Sequence, residues 1–219
     1  MPPRPRPQPS LSLPRLYAIV DGEACARAGR APLDVARAFL SAGVRCMQLR
    51  MKGWDSGPFL DLARPVVDEA NRAGCTVFIN DRADIAALSA AHGLHVGQAD
   101  LSPSQARRIL GPATAIGLST HTEAQWELAV TEPIAYLAIG PVYGTGTKAT
   151  GYEAVGLEVV RAASTRAAAA GLPVVAIGGI TLARAPEVIA SGAASVAVIS
   201  DLLSGSPEAR ARDFLRALA

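Results

Sequence analysis

Asp81 and Asp100 are the residues whose types and spacing most directly point to chemistry. Each lies just past a short apolar run. Val77, Phe78 and Ile79 precede Asn80-Asp81, and Leu94, His95 and Val96 precede Gly97-Gln98-Ala99-Asp100. Between the runs, a helical pattern carries Ile85, Leu88 and Ala91 on one face. If the two runs are neighbouring parallel strands, both carboxylates face one crevice. Two carboxylates there suit a hard cation such as Mg²⁺, which takes one or two of them together with substrate phosphates. The competing reading is that each Asp caps the helix after it, a role Asp fills readily. The pairing, with Asn80 and Gln98 alongside, favours the cation.

Positive charge lies close by. Gln48, Arg50 and Lys52 follow an earlier apolar run. Carboxylates, a divalent cation and Lys or Arg together are what a departing pyrophosphate requires. Exposed ion pairs among the same charges would contribute little. Anion binding is written twice more. Gly178-Gly179 and Ile199-Ser200 each lead from a strand toward a helix start, where backbone N–H groups and the helix dipole attract phosphate. The stretch 142–148 holds Thr145, Gly146, Thr147 and Lys148, a Thr-rich loop with one cation, of a kind that closes over phosphorylated ligands. It lacks the GK[ST] order of a P-loop and completes no GxGxxG. Ser119 and His121 follow a further run. His95 lies inside a strand and reads as a core or site-lining histidine, and no GxSxG context marks a catalytic serine.

These side chains need elements to hold them. Apolar strand runs are expected at 16–20, 44–49, 77–79, 94–96, 114–118, 134–139, 173–177 and 194–199. Helical segments are expected at 33–40, 59–73, 102–110, 122–130, 157–170 and 182–190, with a further helix between the third and fourth strands and another closing the chain. Near-continuous apolar strands mean a parallel sheet covered on both faces. Eight strand-helix units in about 200 residues predict an α/β fold, a single-domain (β/α)₈ TIM barrel, with chemistry at the C-terminal ends of the strands. An open doubly wound sheet is the alternative.

Composition sets the outer bounds. The 219 residues carry a net charge of +2, too little for a nucleic-acid footprint. No apolar run is long enough for a membrane span. The three cysteines are odd in number and lack CxxC spacing, which points away from a disulfide framework and toward a reducing cytoplasm. Residues 1–14 are Pro-rich and read as a disordered tail, leaving 15–219 as the catalytic barrel. Whether the chain forms a homo-oligomer is left open.

The motifs QLRMK (48–52), FINDRADIA (78–86), HVGQAD (95–100), GLSTHT (117–122), GPVYGTGTK (140–148), AIGGI (176–180) and VAVIS (196–200) together resemble the thiamine phosphate synthase family, also called thiamine-phosphate pyrophosphorylase. The likeness runs from about residue 16 to the C-terminus. Ala99 stands where the family often has an acidic residue. The resemblance implies a transferase that joins hydroxymethylpyrimidine diphosphate to hydroxyethylthiazole phosphate and releases pyrophosphate. It further implies that Asp81 and Asp100 bind Mg²⁺, and that Gln48, Leu49, Arg50, Met51, Lys52 and Asn80 hold the pyrimidine diphosphate. Ser119 and Lys148 would contact the diphosphate. Thr145, Gly146, Thr147, Gly179, Ile199 and Ser200 would hold the thiazole phosphate. Arg50, Lys52, Ser119 and Lys148 would carry catalysis. A thiazole tautomerase on the same barrel, a phosphosugar isomerase or aldolase, and a non-catalytic sensor of thiamine intermediates are the other readings.

Overall fold

Strand alternation decides which side chains reach the centre of this molecule. The computed structural model describes residues 13–144 and 151–219. Its strands are β1 (Leu16–Asp21), β2 (Cys46–Arg50), β3 (Thr76–Asn80), β4 (Gly93–Val96), β5 (Ala115–Thr120), β6 (Tyr136–Ile139), β7 (Val174–Ile177) and β8 (Ser195–Val198). They form a closed barrel in chain order, and β8 pairs in parallel with β1. The fold is the (β/α)₈ barrel expected from the strand-helix beat.

Along each strand, alternate residues join two separate cores. Leu16, Ala18, Val20, Leu49, Val77 and Ile79 pack outward with the helices. Tyr17, Ile19, Cys46, Phe78, Tyr136, Val175 and Ala197 form the smaller cluster inside the barrel. Period-two alternation therefore persists although both faces are apolar. Toward the C-terminal ends the inner positions turn polar: Gln48, Arg50, Asn80, His95 and Ser119 are all buried.

The helices are α1 (Gly22–Arg27), α2 (Pro32–Ala42), α3 (Ser56–Ala73), α4 (Ala83–Leu88), α5 (Pro103–Leu110), α6 (Glu123–Ala129), α7 (Gly156–Ala169), α8 (Ala185–Ala190) and α9 (Pro207–Ala217). Local signals end most of them where expected. Gly43 (φ +95°) and Gly74 (φ +65°) close α2 and α3 in the left-handed region. Ser102 and Gln105 form a reciprocal capping box on α5.

Three features differ from expectation. Helix α1 was not anticipated; it forms because Asp21 accepts a hydrogen bond from Ala24 N at 2.8 Å and starts a turn directly off β1. Leu88 does not share the buried face of Ile85. It is 59% exposed, because α4 ends there and the chain swings away at Ala90, which has φ +53°. Finally, the helices after β7 and β8 begin late or are minimal. Helix α8 starts at Ala185, and Ser200–Leu203 is a 3₁₀ turn. Any anion at β7 and β8 would therefore be held by loop N–H groups rather than by a long helix dipole.

Candidate active site

The register of neighbouring strands brings the first charges together. Asp21 and Arg50 are paired partners on β1 and β2, both on the inner face, and they form a buried ion pair. Arg50 thus pairs with Asp21, rather than lying free beside Asp81 and Asp100 as its place in the sequence implied. The Arg50 Nε is buried without an acceptor among the described residues, a donor left over for something else.

Lys52, two residues past β2, makes an ion pair with Asp81. Asp81 follows β3 with φ +62°, a left-handed conformation that Asp tolerates better than most residues. Its N–H donates to His95 O at 2.8 Å, which ties the turn to β4. Neither Asp81 nor Asp100 caps a helix: the residue before α4 is Arg82, and α5 is capped by Ser102. Instead Asp100 Oδ2 accepts from Gly97 N at 2.8 Å and its carboxyl meets that of Asp81. Burial, with the neighbouring Asp100 carboxyl, raises the Asp81 carboxyl above its usual range against the pull of Lys52. Burial also acts to raise Asp100. The hydrogen bond from Asp81, the Gly97 N–H and the charge of Lys52 outweigh it, and Asp100 is lowered. Two carboxyls crowded together, partly compensated by one lysine, are the oxygen donors that Mg²⁺ accepts alongside phosphate. Among the described residues no cluster of three or more His, Cys, Asp or Glu competes for a metal.

Below these charges runs a chain of buried hydrogen bonds. Gln48 Nε2 donates to Tyr17 Oη at 3.1 Å, and Tyr17 Oη lies 3.0 Å from Tyr136 Oη. His95 Nδ1 is 2.8 Å from Tyr136 Oη, and His95 Nε2 is 2.8 Å from Ser119 Oγ. The His95 ring stacks on Tyr136, with centroids 5.6 Å apart. Burial pushes both tyrosine hydroxyls well above their usual range, so they stay neutral.

Ser119 also borders the large cavity of the barrel mouth, about 410 Å³, on the β5–β8 side. That size is usual for a small-molecule site. Gly178 (φ +104°), Gly179 (φ +63°), Ile199, Ser200, Arg184 and His121 are among the residues that line it. The two glycines are needed for contact: a Cβ on Gly178 would lie 2.5 Å from Pro141 Cα, and one on Gly179 would lie 2.7 Å from Gly144 O. His121 Nδ1 is 2.5 Å from Gly140 O, and its ring stacks on Tyr152 with centroids 4.2 Å apart. Arg184 donates to Gly179 O at 3.0 Å and lies 4.4 Å above the Tyr143 ring.

A family model for thiamine monophosphate synthase matches residues 16–202. The chain belongs to the thiamine monophosphate synthase family. It is 42% identical over 213 residues to the thiamine-phosphate synthase of Koribacter versatilis, covering 95% of this chain and 97% of that protein. It is 40% identical over 210 residues to the thiamine-phosphate synthase of Thermus thermophilus, covering 93% and 96%. Among solved structures, thiamine phosphate pyrophosphorylase from Pyrococcus furiosus superposes with a TM-score of 0.83 at 25% identity, covering 93% of this chain and 95% of that one. A KDPGal structure reaches a TM-score of 0.68 at 19% identity and shares the fold alone. Family membership makes the chain a transferase of thiamine biosynthesis.

Within that family frame, most of the expected side chains converge on one mouth. Gln48, Arg50 and Asn80 line a narrow slot beneath it together with His95 and Ser119. Leu49 and Met51 do not converge. Both sit in the outer core between strands and helices, so only their backbones face the mouth. Thr145, Gly146, Thr147 and Lys148 lie outside the described residues. Asp21, Tyr17, Tyr136 and Arg184 join the candidate site although no local motif marks them, and His95 lines the slot rather than serving the core alone. Strand parity was the available signal: Asp21, Tyr17, Tyr136 and His95 all share the inner face with Gln48 and Ser119.

Proposed function

We propose that this chain is an Mg²⁺-dependent thiamine phosphate synthase acting on two small phosphorylated substrates at the C-terminal mouth of the barrel. The thiazole ring nitrogen attacks the pyrimidine methylene with its own lone pair. The methylene C–O bond breaks, and its electrons leave with pyrophosphate. No general base is needed, since the nucleophile carries no proton at that nitrogen. The electron-rich aminopyrimidine stabilises positive charge at the methylene, which favours a dissociative path.

One observation carries this reading: Asp81 and Asp100 are crowded together beside Lys52, and the slot holding Arg50 adjoins a cavity lined by Gly178 and Gly179. Asp81 and Asp100 would hold Mg²⁺, which supplies electrostatic stabilisation to the departing pyrophosphate. Arg50, oriented by Asp21, offers its remaining N–H groups to the same anion. With Asp81 engaged by Mg²⁺, the Lys52 ammonium, now paired with Asp81, would turn to the diphosphate. Gln48 and Asn80 would orient the pyrimidine, and Lys148 and Ser119 would contact the diphosphate. Gly179, Ile199 and Ser200, with Thr145, Gly146 and Thr147, would hold the thiazole phosphate. The two substrates then meet above Ser119, which borders both the slot and the large cavity. Positioning and charge stabilisation supply the rate enhancement.

The test is a steady-state assay with hydroxymethylpyrimidine diphosphate and hydroxyethylthiazole phosphate, following thiamine phosphate and pyrophosphate across an Mg²⁺ titration. Stoichiometric release of both products, dependent on Mg²⁺ and lost in Asp100→Ala, is expected. Folded protein that turns over neither substrate, or does so equally in excess chelator, overturns the reading.

A further inference from the structure

The buried chain Gln48–Tyr17–Tyr136–His95–Ser119 has a direction, and the direction bears on what Ser119 offers to a ligand. Gln48 Nε2 is a donor only, so Tyr17 Oη accepts from it at 3.1 Å. Tyr17 then passes its own hydrogen to Tyr136 Oη, 3.0 Å away. Tyr136 in turn donates to His95 Nδ1 at 2.8 Å. A neutral imidazole that accepts at Nδ1 carries its hydrogen at Nε2. Nε2–H therefore donates to Ser119 Oγ at 2.8 Å, and the serine hydrogen is turned away from His95. Ser119 borders both the narrow slot and the large cavity, so that hydrogen faces the mouth. In the reverse order Tyr17 Oη would accept from both sides, and the Ser119 hydrogen would point inward at His95. Lone pairs alone would then confront an anion.

We propose that Tyr17 and Tyr136 are positioning residues: through His95 they hold the Ser119 hydroxyl as a hydrogen-bond donor into the mouth, toward an anionic phosphate oxygen. The inference rests on the reading that Ser119 faces the diphosphate. It adds residues two and three hydrogen bonds removed from Ser119 that set the polarity of the contact. The rings are well suited to this. Tyr136 meets Phe78 edge-on at 5.3 Å and Tyr17 edge-on at 5.9 Å, so its hydroxyl has little freedom to point elsewhere. Gly117 leaves the room it fills: a Cβ there would lie 2.0 Å from Tyr136 Cζ. Gln48 gains a second function, because its amide sets the direction from the end nearest β1.

Nitrogen-15 NMR of the histidine rings in the full chain, at a pH where His95 is neutral, reads the tautomer without reference to turnover. His95 is expected with its hydrogen at Nε2 and an acceptor-type Nδ1, and that signature is expected to be lost in Tyr136→Phe. A wild-type ring protonated at Nδ1 overturns the proposal. The second arm is binding of inorganic pyrophosphate in the presence of Mg²⁺. Tyr136→Phe, which keeps the ring, should weaken binding about tenfold, the scale of one hydrogen bond to a charged group. The same substitution in a Ser119→Ala background should cost nothing further. An undiminished loss in that background, or no loss in the single variant, means the hydroxyl is not the route. Tyr17→Phe should shift the tautomer balance in the same sense, and an unchanged ring there would also count against the chain. Should the two-substrate assay fail while His95 keeps its hydrogen at Nε2, the proposed function falls and the network stands.

Discussion

Asp81 is held with φ +62°, pairs with Lys52 and confronts the Asp100 carboxyl, and each of these features has a measurable consequence. Its carboxyl is raised by burial and by Asp100, so the fold favours the protonated form. The stability that this lends is complete in acid and is lost as pH rises through the raised value. Asp81→Asn keeps a neutral side chain at pH 7 and suits the same backbone conformation. We expect the metal-free variant to melt higher than the wild type at neutral pH. A net relief of about 1 kcal/mol corresponds to about 2–4 °C in a chain of this size. Mg²⁺ is expected to raise the melting temperature of the wild type, and the variant should lose both that rise and turnover. Thermal scans with and without Mg²⁺ check this, and an Mg²⁺ response kept in Asp81→Asn would remove Asp81 from the metal site.

At the scale of elements, the inner face of the barrel is filled by a few large rings set against glycines. Phe78 of β3 lies over Gly93 of β4, where a Cβ would come within 2.3 Å of the ring, and Tyr136 of β6 lies over Gly117 of β5. Both glycines have ordinary backbone angles, so space rather than conformation requires them. Gly117→Ala should therefore destabilise the barrel by about 1–3 kcal/mol or more through overpacking. Urea unfolding would show this as a lower midpoint with an unchanged slope. It should also perturb the His95 tautomer, since Tyr136 must move. An unchanged midpoint would show that the ring can shift at little cost and that the packing under the mouth is looser than the contacts imply. The short helices are part of the same economy of space. Because α8 starts late, the chain after β7 is free to pack Gly178 and Gly179 against Pro141 and Gly144, and all four line the large cavity.

At the scale of the molecule, the mouth divides into a charged half over β1–β4 and an open, glycine-lined half over β5–β8, with Ser119 between them. No described helix is long and apolar enough to cross a membrane. Residues 1–12, most of the Pro-rich segment at the start of the chain, lie outside the described residues. Deleting residues 1–9 should leave kcat and Tm nearly unchanged, because such a segment buries little apolar surface. A drop of several degrees or a marked fall in kcat would show that the tail packs on the barrel.

The barrel, its eight strand-helix units and the placement of Asp81, Asp100, Lys52, Gly179 and Ser200 beyond strand ends were all legible in the sequence. Apolar periodicity and turn residues act over short distances, and the parallel fold converts each strand end into one shared mouth. The family was legible as well, since its motifs recur in order along the chain. What the sequence could not supply was pairing across strands. The Asp21–Arg50 contact depends on the β1–β2 register, which no local pattern encodes. The link from Gln48 to Ser119 joins residues of five strands through side chains whose separation in sequence reaches 119 positions for Tyr17 and Tyr136. Parity marks such residues as inner, but only closure of the barrel brings their hydroxyls and ring nitrogens within hydrogen-bonding distance. Leu49 and Met51 illustrate the converse: they lie between candidate site residues in the sequence, yet alternation turns their side chains to the helices, and proximity in sequence is not proximity at the mouth.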